Sequence, residues 1–201
     1  MSRIVFLLEE RSMKVLLERL LPRLMPSLPF ICVTHEGKQD LEKSIPRKLR
    51  AWTEPGVLFV VVRDNDIGDC HELKTRLVGL CREAGREDTL IRIACQELEA
   101  WYLGDPEALA SAYGRPVLRE LSRKARYRDP DAVQKPSAAL AELVPEFQKI
   151  SGARLMGTRL TEAGNSSHSY RTFLEGIRRI ASGSSDSKNQ GANDTRGQGE
   201  D

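Results

Sequence analysis

The chain has 201 residues, 40% of them hydrophobic, which is enough for one well-buried domain and cramped for two. Lysine and arginine number 31 against 29 acidic residues, so the net charge of +2 gives no global field that attracts nucleic acid; any basic surface is local. No segment reaches membrane-spanning length and the apolar run at residues 4–8 is too short for a signal-peptide core, so the expectation is a soluble, cytoplasmic protein without membrane contact.

Residues 4–8 (IVFLL) are apolar throughout and stop at Glu9 and Glu10, the pattern of a strand covered on both faces. From Ser12, the residues Met13, Leu16, Leu17, Leu20, Leu21 and Leu24 fall at helical spacing, with Pro22 limiting the regular length. Residues 30–34 (FICVT) predict a second strand, and 41–52 a helix that Pro46 breaks. A third strand is expected at 57–63, a helix started by Asp69 at 69–85, and a fourth strand at 89–96. "ELEAWYLGDPEALASAY" opens a helical region punctuated at Gly104 and Pro106. Further helical pieces are expected at 115–126 and 137–149, and "NSSHSYRTFLEGIRRI" closes with an amphipathic helix. Residues 182–201 hold no large apolar side chain and predict a disordered tail after a single domain of residues 1–181.

Strands alternating with helix-length segments predict a layered α/β domain of Rossmann-like kind, with a mostly parallel sheet, helices on both faces and added C-terminal helices. Sites in such sheets gather beyond the carboxyl ends of the strands, here Glu9 and Glu10, His35 to Lys38, Asp64 to Asp69, and Glu97 to Glu99. A glutamate after one strand and an Asp-x-Asp after another supply hard oxygen ligands for Mg²⁺ or Mn²⁺. On an extended strand end Asp64 and Asp66 point the same way, while Glu9 closes the other side of the ion. Glu99, with Glu97 as rival, completes a second ion site, and two ions can stabilise both the attacking and leaving oxygens of a phosphodiester. Whether one or two bind stays open.

Each carboxylate alone reads more simply as a helix cap, Asp69 above all; the joint pattern favours a metal. Lys38 in "HEGKQD" is a candidate phosphate contact or an ordinary loop charge. Arg123, Lys124 and Arg126, clustered with Arg115, Arg119 and Arg128, are a candidate nucleic-acid surface, with a solvated helix face as the plain alternative. Asn165, Ser166 and Ser169 offer neutral donors. "GARLMGTR" mimics a phosphate loop but lacks its lysine and its preceding strand, which excludes nucleotide hydrolysis by this chain. Trp101 and Tyr102 read as core, and Cys32, Cys70, Cys81 and Cys95, far apart in the sequence and without a CxxC pair, as reduced, mostly buried thiols.

A strand, Glu9, a helix and then "VVVRDND" at the end of a later strand resemble the Toprim domain. More closely, "LLEERS", "HEGKQDL", "RDNDIGDCHELKTRL", "ELEAWYLGDPEAL", "RDPDAVQKPSAAL" and "NSSHSYRTFLEGIRRI" resemble the bacterial domain-of-unknown-function family forty-two seventy-six, over residues 3–181. The resemblance implies a Toprim-like, Mg²⁺-dependent nuclease, with DNA ahead of RNA as substrate, of the kind paired with a partner ATPase in phage-defence operons. It carries the motif glutamate onto Glu9, the aspartates onto Asp64 and Asp66, and the later acidic residue onto Glu99, with Asp69 and Asp105 on family positions of uncertain role. Arg11 stands where relatives commonly have proline, and "NSSHSYR" departs from "NRSPSFR"; neither change touches the carboxylates. Two other classes stay open: a noncatalytic regulatory subunit of a partner ATPase, and a phosphatase for small molecules. Oligomeric state and endonuclease versus exonuclease action are not legible.

Overall fold

The computed structural model describes residues 3–189, with side chains to residue 183. Four strands, β1 (Ile4–Leu8), β2 (Phe30–Thr34), β3 (Leu58–Asp64) and β4 (Leu90–Ala94), form one parallel sheet in the order β2-β1-β3-β4. Helices α1 (Arg11–Leu24), α2 (Lys38–Ala51) and α3 (Cys70–Glu83) make the crossovers, since a parallel neighbour is reached only by a long return. After β4 come α4 (Glu99–Leu103), α5 (Pro106–Tyr113), α6 (Pro136–Leu143), α7 (Lys149–Gly157) and α8 (His168–Asn189). This is the α/β architecture the strand and helix periodicities predict. The tail expected from residue 182 begins instead as the end of α8, and residues 190–201 lie outside the described residues. Among the described residues no helix is long and apolar enough to cross a membrane.

Alternation along the strands divides the core in two. Ile4, Phe6, Leu8, Val60 and Val62 pack with Met13, Leu16, Leu17, Leu20 and Leu21 of α1 and Tyr170, Phe173, Leu174 and Ile177 of α8. Val5, Leu7, Phe59 and Val61 face the other way, against Leu41, Ile45 and Leu49 of α2 and Leu73, Leu77 and Cys81 of α3. Each such side chain contributes about 1.5–3 kcal/mol on burial, which is why β1 and β3 tolerate no polar residue until their carboxyl ends. From β1 the chain crosses to β2 on one side, whereas β3 lies on the other; the connections after β1 and β3 therefore diverge, and sites in sheets of this kind gather at that switch point.

Prolines account for most departures from the periodicity. Pro46 sits inside α2 instead of breaking it, because Leu41, Ile45 and Leu49 bury one continuous stripe across the position and that packing outweighs one missing N–H. Pro22 likewise lies inside α1, on its exposed side in the last turn. Conversely, the helix expected over 137–149 splits, since Pro145 pushes Val144 out of the helical region (φ −137°, ψ 88°). Residues 116–123 wind as a 3₁₀ helix, whose three residues per turn match the buried pair Leu118 and Leu121. The sequence that mimics a phosphate loop lies within and just beyond the C-terminal half of α7.

Helix α7 crosses α1 where only glycine fits: a Cβ on Gly157 would meet Arg19 Cβ at 2.8 Å and the Leu16 carbonyl oxygen at 2.9 Å. Gly157→Ala is therefore expected to cost about 1–2 kcal/mol and to lower the thermal midpoint by roughly 2–6 °C. Gly79→Ala in α3, with open space at its Cβ, is expected to hold or raise the midpoint, as circular dichroism melts of the two variants will show.

Candidate functional site

The same alternation that divides the core distributes the carboxylates. Asp64 ends β3 in phase with Val60 and Val62 and so faces the α1 and α8 side, whereas Arg63 follows Val61 toward α2 and α3. Beyond Leu8, the extended Glu10 continues the first face and Glu9 the second. Glu9 thus meets Arg63, its Oε2 lying 3.6 Å from the buried Arg63 Nε, too far for a hydrogen bond. A second carboxylate, Glu42 of α2, pairs with Arg63 and with Arg76, at 3.0 Å from the latter.

The expectation that Asp64 and Asp66 leave one extended strand end together is not met. The strand ends at Asp64, and Asp66 takes a left-handed conformation (φ 52°). Its N–H donates to the Gln96 carbonyl oxygen at 2.9 Å, and Gln96 is left-handed in turn (φ 62°). Asn65 completes the junction, donating its N–H to the Ala94 carbonyl and accepting from the Gln96 N–H on its side chain. This tie between the β3 and β4 loops bends the aspartates apart: Asp66 is half exposed and accepts from Lys38 Nζ at 3.1 Å, while Asp64 is only 8% exposed.

Asp64 lies instead with Glu99 and Glu10. Glu99, the first residue of α4, is fully buried, and neither of its carboxylate oxygens has a hydrogen-bond partner. Burial pushes its pKa up to about 7, with Glu10 and Glu97 adding to the rise and Lys149 opposing it. Asp64 is raised well above the usual carboxylate range by burial and then by Glu99, Glu10 and Glu9, against a backbone N–H bond from Leu98. Burial also raises Glu9, which Arg63 pulls down and Asp66 pushes up. Lys149, opening α7, puts its Nζ 3.4 Å from Glu10 Oε2. Burial disfavours its charge, yet Glu99, Glu10, Asp64 and Glu97 hold the ammonium above the ordinary lysine range.

The donor chemistry suits a hard divalent cation: carboxylates only, short of positive charge, with unpartnered buried oxygens on Glu99 and on Glu9. They surround a volume without converging, however, since among the described residues no group of three or more His, Cys, Asp or Glu is gathered into a ligand set. Glu97, the rival to Glu99, accepts from the Ser137 N–H at 2.7 Å and so holds the start of α6. With Asp66, Gln96 and Lys135 it lines an open cavity of about 250 Å³.

Other candidates have structural work. Asp69 caps α3 through the N–H groups of His71 and Glu72, and Asp105 caps α5 through Ala108 while also accepting from Thr161. In the basic segment Arg115, Arg119, Arg123 and Arg126 pair with Glu146, Glu107, Glu120 and Glu142, leaving Lys124 and Arg128 without an ion pair among the described residues. Asn165 and Ser166 bond to the carbonyls of Trp101 and Gly104, and Ser169 to Asp131 and to the indole N–H of Trp101, so none serves the acidic group. Trp101 and Tyr102 are fully buried core residues. Sequence patterns placed Glu10 at a strand end without giving it a role, and missed Arg63 and Lys149. The first two were detectable from strand alternation; Lys149 had no local signal, because the packing of α7 on α1 delivers it.

Glu99 gives the site a pH signature. Its folded pKa lies above the ordinary value of 4.5, so as pH rises the unfolded chain releases this proton first. Stability attributable to Glu99 is full below pH 4.5 and falls until pH 7, by about 3 kcal/mol. Glu99→Gln, neutral at every pH, is expected to flatten this decline and to be the more stable protein at pH 8. Urea unfolding from pH 4 to 8 measures both; a wild-type profile no steeper than that of the variant contradicts the assignment.

The fold is shared with solved structures at low identity. The C-terminal region of the Burkholderia pseudomallei OLD protein is 16% identical, with TM-score 0.57 over 92% of this chain and 99% of that one. The C-terminal region of the Xanthomonas campestris pv. campestris OLD protein is also 16% identical, with TM-score 0.51 over 90% and 96%. No curated protein matches the chain significantly. The model of the domain of unknown function DUF4276 matches residues 8–178, and the chain belongs to that family.

Proposed function

We propose that the chain is a Toprim-like nuclease subunit that hydrolyses phosphodiester bonds with Mg²⁺ or Mn²⁺, on nucleic acid, with DNA ahead of RNA. The observation that carries this reading is the pair of buried carboxylates Asp64 and Glu99 at the β1/β3 switch point, with the partly buried Glu10 and its one cation Lys149 beside them and Glu9 on the other flank. Asp64, Glu99 and Glu9 are the residues proposed to hold the ion, joined by Glu10 and by Asp66 once it leaves Lys38; Glu97 stays engaged with α6. A bound divalent ion supplies Lewis-acid stabilisation of the phosphate and a more acidic water.

The chain's own groups have distinct tasks in this reading. Arg63 fixes Glu9 from the α2 and α3 side, and Lys38 holds Asp66 at the mouth. Lys149 offsets the carboxylate charge and presents an ammonium at the rim, where a phosphate oxygen can approach. Among the basic candidates for a nucleic-acid path, Lys124 requires no ion pair to be broken, whereas Arg123 and Arg126 must first exchange their glutamates for phosphate. A partner ATPase and a place in phage defence follow from the family resemblance.

One observation favours a second reading, a noncatalytic subunit docking on that ATPase: the carboxylates are not gathered into a ligand set. Calorimetry with Mn²⁺ and plasmid cleavage separate the two. The nuclease reading expects Mn²⁺ binding and metal-dependent nicking, with both reduced at least tenfold in Asp64→Ala and Glu99→Ala. Metal-dependent cleavage that survives Asp64→Ala combined with Asp66→Ala would overturn it. Partner binding unaffected by these changes, without metal binding, supports the second.

A further inference from the structure

Two sulfurs lie between the acidic loops. Cys70 opens α3 directly after its capping Asp69, and Cys95 follows Ala94, the last residue of β4. They are 25 residues apart in the chain, yet their Sγ atoms are 3.8 Å apart and both side chains are partly exposed. All four cysteines are free, but the expectation that they are mostly buried fails, since only Cys81 is buried. The backbones on either side are already tied, Asn65 and Asp66 donating to the carbonyls of Ala94 and Gln96 and the Cys95 N–H donating to Ser169 Oγ at 3.4 Å. A disulfide bond is about 2.05 Å long, so closure needs an approach of roughly 1.8 Å between two sulfurs already in contact.

We propose that Cys70 and Cys95 are a reversible oxidation site, at which a peroxide joins them in a disulfide that locks the Asp64–Asp69 loop to the Cys95–Glu99 loop. One thiolate takes an oxygen from hydrogen peroxide, giving a sulfenic acid and hydroxide. The second sulfur is that of Cys95, whose thiol is pushed up to about 12 by burial, Asp131 and Cys70, so it attacks as it gives up its proton; the S–S bond forms, the S–O bond breaks and water leaves carrying that proton. Overall two thiols lose two hydrogens and the peroxide becomes two waters. In a reducing compartment, exchange with a dithiol restores the thiols.

The position gives the bond its consequence. Asp66 stands on one joined loop and Glu99 at the end of the other, and in the thiol form these carboxylates are not gathered into a ligand set. A covalent tie opposes the relative movement that gathering them on a cation requires. That consequence rests on the metal site proposed above; the disulfide itself rests on the sulfur geometry alone.

Peptide mass mapping of the full chain after hydrogen peroxide treatment tests the bond. A Cys70–Cys95 crosslink is expected, removed by dithiothreitol and absent from Cys70→Ser and Cys95→Ser. Both thiols remaining alkylatable, or both reaching sulfinic acid unlinked, would overturn it. Calorimetry then reads the lock: the oxidised chain is expected to bind Mn²⁺ at least fivefold more weakly than the reduced chain, with Cys95→Ser indifferent to peroxide. Equal affinities in a crosslinked sample overturn the lock and leave the bond standing. Absence of Mn²⁺ binding in the reduced chain overturns the metal site, while the mapping still decides the disulfide.

Discussion

Three carboxyl groups, Asp64, Glu99 and Glu10, share a largely buried volume with one ammonium, that of Lys149, and the remaining structure is arranged around that imbalance. Burial of like charges disfavours ionisation, so Asp64 and Glu99 hold protons that exposed carboxylates release. Such an arrangement persists only because the sheet and its helices over-determine the positions of the residues involved. Asp64 ends β3, a central strand buried from Phe59 onward.

Support reaches the site from several directions. On the α2 and α3 side, Arg63 is buried between Glu9 and Glu42, balancing charge that the other face lacks. On the α1 side, the glycine contact at Gly157 sets how closely α7 lies on α1, and with it where Lys149 arrives. Glu97 is diverted to the N–H of Ser137, which separates its task from that of Glu99 two residues later. The left-handed residues Asp66 and Gln96 meet where the β3 and β4 loops are stitched together, the place where Cys70 and Cys95 also face one another. Such conformations in residues other than glycine persist only where surrounding bonds hold them, as those of Asn65 do here.

Much of the fold was legible because its signals are local. Runs such as IVFLL and LFVVV admit few arrangements other than doubly covered strands, and the leucines of α1 and α3 recur at helical spacing. Proline was misread in both directions: Pro46 is carried inside α2 by the apolar stripe it interrupts, and Pro145, passed over, ends α6 through its effect on Val144. The basic segment was legible as composition, but the glutamates that neutralise most of it come from α5, the same 3₁₀ stretch, α6 and the loop before α7.

The sequence by itself determined that carboxylates would collect beyond the strand ends, because a buried strand must become polar where it emerges and the doubly wound order brings those ends to one edge. It also determined that Asp69 would cap a helix, since the N–H groups it satisfies lie two and three residues away. Only the tertiary structure decided which acids share a volume. Alternation across β1 and β3 sends Glu9 to Arg63 and Glu10 toward Asp64, the turn at Asp66 hands that residue to Lys38, and a helix from the far end of the chain delivers Lys149. Those partners are fixed by contacts between elements distant in the chain, which no local spacing encodes.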